Sequence, residues 1–216
     1  MRSLITLSLV LIFALGAAAE DRPPTSAKPK ADFQLRDVNG ATRRLSDYRG
    51  KWVVLEWVNF DCAPVQDLCR APARKLQTLQ QTYRAKGVVW LTINSTPVGQ
   101  RGHLNAQQTK QMLQRVGASP TAFLLDPSGQ AGKTFKARVT PEVRLVSPRG
   151  DVVYAGAVET AAAGTSIRSL DLVLAAATGN RALPFTQQPS RGCRIPYPGA
   201  PATTTGTQAP DFALKD

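Results

Sequence analysis

The run Trp52-Val53-Val54-Leu55-Glu56-Trp57-Val58-Asn59-Phe60-Asp61-Cys62-Ala63-Pro64-Val65 decides how this chain is read. Its first seven residues are almost continuously apolar, β-branched or aromatic, which suits a central strand buried on both faces. Asn59 to Cys62 then form a loop into a helix that opens near Ala63-Pro64, since proline is well tolerated in a first helical turn. A cysteine at such a junction meets unpaired N–H groups and about half a positive charge, which favour the nucleophilic thiolate. Asp61 opposes that effect. Cys62 is therefore the candidate reactive residue, with an inert buried thiol as the plainer alternative.

Outward from this run, Asp32 to Asp37 alternates apolar and polar residues, and Asn39-Gly40 supplies a hairpin turn before Ala41 to Leu45. Ser46 to Gly50 reads as one short helical turn. Leu68, Leu76, Leu79 and Tyr83 recur at helical spacing, with Pro72 kinking or interrupting the pattern. Val88 to Ile93 is a second buried strand, Ala106 to Val116 a helix, and Ala122 to Leu125 a strand ending in a turn. Val143–Val146 and Val152–Ala155 form a late hairpin, and Ser166–Thr178 is the final amphipathic helix. Strands alternating with helices predict an α/β fold with a central mixed sheet flanked by helices, preceded by the N-terminal hairpin.

A chain of 216 residues that is 43% hydrophobic and 19% charged has a folding composition. Three Cys and one His exclude a disulfide-dense miniature scaffold and a zinc-finger array. Residues 1–19 have Arg2, an apolar stretch from Leu4 to Leu15 and small residues Ala17 to Ala19, the layout of a cleavable signal peptide. The stretch is short for a membrane span, which needs roughly 20 residues. The expected location is thus periplasmic or secreted, with membrane contact only through the leader. Without it, 26 basic residues face 15 acidic ones, but the charge is scattered and reads as a solvated surface with no nucleic acid as partner. Residues 20–30 are a linker rich in Pro and charge, 31–180 the domain, and 181–199 a Cys-containing tail.

The chain resembles the thioredoxin-like superfamily, and within it the exported redoxins of the alkyl hydroperoxide reductase/thiol-specific antioxidant group. The resemblance is carried by Asp32 to Leu45, VVLEWVNFDCAPV (53–65), GVVWLTINSTPVGQRGHL (87–104), residues 121–159 and Gly192-Cys193-Arg194-Ile195-Pro196-Tyr197. It implies a thioredoxin fold with Cys62 at the active position, and Thr140-Pro141 as a cis-proline segment that faces Cys62 and offers its backbone to a substrate chain. Two patterns depart from the relatives. Val65 stands where thioredoxins have a second Cys, and Leu55 and Asn59 stand where peroxiredoxins have Pro and Thr or Ser.

The resemblance also includes a Cys at the position of Cys193, in a Pro- and Gly-rich tail expected to be mobile, as a resolving thiol must be. Cys62–Cys193 is the pairing expected of oxidised protein, with Cys69 free and a structural Cys69–Cys193 bridge as the rival. Cys62 and Cys69, seven residues apart in a helix, would be separated by about 10.5 Å, whereas a disulfide needs a Cα separation under ~7 Å. Glu56 stands six residues before Cys62, where thioredoxins have an acid that moves a proton during exchange. Burial inside the strand would raise its pKa, and the alternative is a strand-end Glu reaching solvent. His103 with two cysteines raises a copper site like that of the copper chaperones sharing this fold, but those space their cysteines four apart.

The leading expectation is a thiol–disulfide oxidoreductase of peroxiredoxin-like type, in which Cys62 attacks a peroxide or disulfide and Cys193 resolves the product. Glu56 handles the proton, Thr140 and Pro141 position the substrate, and an external thiol supplies the electrons without an organic cofactor. The rival is a non-enzymatic binding module for a protein partner or a copper ion. Finally, Asp-Phe-x-Leu-x-Asp occurs at 32–37 and again at 211–216 after a Thr-rich linker. Residues 200–216 are accordingly expected to be a linker and the start of a truncated second redoxin domain that packs against nothing here.

Overall fold

The computed structural model describes residues 31–162 and 165–199. The expected leader, the linker at 20–30 and the repeat at 211–216 lie outside the described residues.

In chain order the elements are β1 (Gln34–Asp37), β2 (Thr42–Arg44), a 3-10 turn (Leu45–Tyr48), β3 (Val53–Trp57), α1 (Ala63–Cys69) and α2 (Lys75–Ala85). Then follow β4 (Val89–Asn94), α3 (Ala106–Val116), β5 (Ala122–Leu125), α4 (Gln130–Thr134), β6 (Val139–Thr140), β7 (Glu142–Val146) and β8 (Val152–Gly156). The C-terminal part has β9 (Thr160–Ala162), β10 (Thr165–Ile167), α5 (Ser169–Thr178) and β11 (Cys193–Arg194).

The main sheet runs β2-β1-β5-β4-β3-β7-β8. β3 is parallel to β4 and β4 to β5, while β7, β8, β1 and β2 join antiparallel. This is the thioredoxin-like fold, with the hairpin β1–β2 added at one edge. β3 is buried along its whole length, as its apolar run predicts. Its alternate residues feed two cores. Val54 and Val58 share one with Cys62, Val65, Cys69 and Trp90, and Val53, Leu55 and Trp57 share the other with Ala131, Phe135 and Ile195.

Helix boundaries follow local chemistry. Asn105 caps α3 by accepting from the Gln108 N–H while the Gln108 side chain accepts from Asn105 N–H, and Gly117 ends it in the left-handed conformation. The pattern around Pro72 is interrupted outright. Ala71–Pro72 is cis, Arg74 is left-handed at φ 38, and α2 starts anew at Lys75.

Three sequence expectations need correction. The last helix starts at Ser169, because Thr165–Ile167 pairs with Thr160–Ala162 as a hairpin. The turn after Asp126 continues into α4. The tail does not hang free. Gln188 N–H and Ala155 N–H donate to Ala155 O and Thr186 O, and β11 pairs antiparallel with β6.

Candidate redox site

Cys62 sits just before α1 with extended backbone (φ −89°, ψ 119°), and its carbonyl accepts from Val65 and Gln66 N–H. The loop ahead of it is tied down. Cys62 N–H donates to Asn59 O, Asp61 N–H to Asn59 Oδ1, and Gln66 Nε2 to Phe60 O. Asn59 Nδ2 in turn donates to Arg101 O at 3.3 Å, which pins this loop to the one over 96–105. A side chain at Gly102, already at φ 85°, would run into the Asn59 amide, so close approach of the two loops requires glycine there.

Cys62 is joined to Cys193 by a disulfide across 131 residues, with the Cα atoms 5.7 Å apart. Cys69 is the free cysteine, buried, with its thiol pushed up to about 12 by burial and by the charge of Glu56. The rival Cys69–Cys193 pairing is thus not the one formed. Thr140–Pro141 is cis, and Cys62 Sγ lies 3.0 Å from Thr140 O. Across the ladder Cys193 stands opposite Thr140 and Arg194 opposite Val139, while the Cys193 N–H donates to Cys62 Sγ at 3.2 Å. Glycine at 192 permits this approach, because a Cβ there would overlap the Thr140 carbonyl.

Cys62 is 1% exposed, whereas Cys193 is partly exposed. Beside them a groove of about 220 Å³ is lined by Pro64, Leu68, Pro141, Val158, Glu159 and Arg191, among others. A larger hollow of about 550 Å³ is bounded by Lys136, Arg138, Glu142 and Ser190, and neither it nor the groove is lined by a cysteine.

Glu56 does not reach solvent. It is 0% exposed, and its Oε2 accepts from Trp90 Nε1 (2.7 Å), Thr92 Oγ1 (2.8 Å) and Gln80 Nε2 (3.3 Å). Burial raises its pKa, and these three donors pull it the other way without prevailing. Its hydrogen bonds thus go to residues of the strands and α2 rather than to either cysteine of the disulfide. Leu55 is fully buried in the opposite core, and Asn59 is spent on the loop contacts above, so neither substitutes for the peroxiredoxin residues at those positions. His103 Nδ1 lies 3.1 Å from Thr96 O, and no group of three or more His, Cys, Asp or Glu among the described residues is placed to hold a metal ion.

The structure brings together Cys62, Cys193, Thr140 and Pro141, while the hydrogen bonds of Glu56 go to Gln80, Trp90 and Thr92. What sequence reasoning missed is the seating of the tail. Ile195 is buried, its N–H donates to Arg138 O, and the Tyr197 hydroxyl donates to Ala137 O at 2.8 Å.

The model of the AhpC/TSA family matches residues 27–155 of this chain. The chain belongs to the AhpC/TSA family. Among curated proteins this redoxin is similar to the thiol-disulfide oxidoreductase ResA of Geobacillus kaustophilus, 30% identical over 124 residues, or 51% of this chain and 69% of that one. A crystal structure of an uncharacterized conserved protein from Geobacillus kaustophilus superposes with TM-score 0.68 at 26% identity, covering 77% of this chain and 89% of that chain. A hypothetical protein from Sinorhizobium meliloti gives TM-score 0.69 at 21% identity over 79% and 93% of the two chains, a likeness of fold. The AhpC/TSA family and the class of these relatives make the chain a thiol-dependent oxidoreductase.

Proposed function

We propose that the protein carries out thiol–disulfide exchange with Cys62 as nucleophile and Cys193 as resolving residue. The observation that carries this reading is the Cys62–Cys193 disulfide, seated against the cis Thr140–Pro141 bond. In the reduced protein the Cys62 thiolate attacks one sulfur of a disulfide R–S–S–R, that bond breaks, and one R–S⁻ leaves. The Cys193 thiolate then attacks Cys62 Sγ, the second R–S⁻ leaves, and the internal disulfide forms. An external thiol returns two electrons and restores the dithiol. With a hydroperoxide the first leaving group is hydroxide or alkoxide, and Cys62 passes through a sulfenic acid that Cys193 condenses with loss of water.

Two local effects act on Cys62 sulfur. In the reduced protein the Cys193 N–H favours the thiolate, and the Thr140 carbonyl is close enough to accept from the thiol, which opposes it. Burial raises the pKa of Glu56 and so disfavours a negative charge on the strand leading to Cys62. The segment 1–19 supports export to the periplasm or beyond, where a disulfide persists.

The test is turnover of 2-hydroxyethyl disulfide and of hydrogen peroxide with dithiothreitol as electron source. Cys62→Ser should abolish both, and Cys193→Ser should slow both. Full activity of Cys62→Ser would reject the reading.

A further inference from the structure

The structure assigns a specificity role to the segment Gly192–Tyr197: it fills the strand-pairing edge beside Cys62 and restricts the reaction to low-molecular-weight oxidants and thiols. This rests on the reading of Cys62–Cys193 as the redox pair. An extended polypeptide that forms a mixed disulfide at such a site adds a strand to the exposed edge, with main-chain pairing giving the affinity. Here that edge is Val139–Thr140, and its partner is the chain's own Cys193–Arg194, with Cys193 opposite Thr140 and bonded to Cys62. The tail is seated as a bound substrate strand would be.

The seat does not depend on the disulfide. On the C-terminal side Ile195 is 4% exposed in the core with Phe135 and Trp57, and its N–H bonds to Arg138 O. Tyr197 lies over Gly129 and Gly132, where any Cβ would overlap its ring or hydroxyl, and Lys133 Nζ sits 5.8 Å from the ring centre. On the N-terminal side, 186–188 pairs with Ala155, and Gly156 leaves room for the Gln188 backbone. Breaking the sulfur–sulfur bond therefore leaves both anchors in place and the edge occupied. With the edge occupied, a polypeptide has no strand to pair with beside Cys62, whereas a small disulfide or thiol needs none.

The experiment compares reduction of 2-hydroxyethyl disulfide with reduction of insulin, both driven by dithiothreitol, in the wild type, Ile195→Ala and Tyr197→Ala. For the wild type, kcat/KM should favour the small disulfide by about a hundredfold, and loosening either anchor should raise the insulin-to-small-disulfide ratio by about tenfold, as occupancy of the edge by the tethered tail falls. A folded variant is recognised by an unchanged circular dichroism spectrum, and two separate anchors guard against one failing to fold. Equal wild-type rates on the two substrates, or ratios unmoved in both variants, would overturn the exclusion while leaving the redox pair intact. Wild-type turnover no greater than that of Cys62→Ser would overturn the redox reading, and this inference with it.

Discussion

The amide N–H of Cys193 points at Cys62 Sγ across 3.2 Å, so the residue that forms the disulfide also donates to its partner's sulfur. The contact depends on the backbone path of the segment Gly192–Tyr197, and that path depends on Gly192. Gly192→Ala places a methyl group against the Thr140 carbonyl. We expect closure of the disulfide after oxidation to slow by about tenfold, roughly 1.4 kcal/mol of lost apposition. Acid-quenched alkylation of the two thiols over time measures it, and a rate equal to wild type would show that the approach at Gly192 is not limiting.

The two sulfurs of the disulfide differ in access. Cys62 is 1% exposed and Cys193 is partly exposed. A small thiol should therefore attack Cys193 and release Cys62 as the leaving thiolate. Brief treatment of the oxidised protein with glutathione, acid quenching and peptide mapping should find glutathione on Cys193. Recovery on Cys62 would reverse the assignment.

Cys69 has its thiol pushed up to about 12 by burial and by Glu56. It should resist iodoacetamide at pH 8 in both the oxidised and the reduced native protein, and react only on unfolding. Labelled Cys69 in the native protein would contradict its placement in the core.

Glu56 has its pKa raised by burial, so its contribution is fully present below the unfolded value and is lost as pH rises through the folded one. Its Oε1 has no hydrogen-bond partner, which penalises the charged form further. Wild-type stability should therefore fall as pH rises from about 4.5, and Glu56→Gln should flatten that fall. The gap between the two proteins should widen toward alkaline pH by on the order of 1–3 kcal/mol. Urea denaturation at pH 5 and pH 8.5 tests it, and parallel curves would sink the argument.

The central strands were legible because burial on both faces leaves an unbroken apolar run, as at Val53–Trp57 and Val89–Asn94. The helix expected over Ala106 to Val116 is α3, and the structure shows why it ends there: Asn105 caps its start and Gly117 its end. The reactive cysteine was legible from its strand–loop–helix context, and the cis peptide at Pro141 from resemblance. The seating of the tail was harder, since Pro and Gly suggested a free segment. Ile195 is buried and Tyr197 lies against Gly129 and Gly132, more than sixty positions earlier in the chain and beyond any local pattern. Cys69 was ambiguous for a similar reason. Only the packing of α1 against β3 and β4 separates a buried thiol from a second redox partner.

Trapping the first covalent intermediate tests the Cys62–Cys193 redox pair most directly. Reduced Cys193→Ser, treated with 2-hydroxyethyl disulfide and mapped by mass spectrometry without reduction, should carry one mercaptoethanol adduct on Cys62 and none on Cys69. Wild type treated the same way should lose the adduct to the Cys62–Cys193 disulfide. An adduct on Cys69, or a Cys69–Cys193 disulfide in the treated wild type, would contradict the assignment of Cys62 as the nucleophile and Cys193 as its partner.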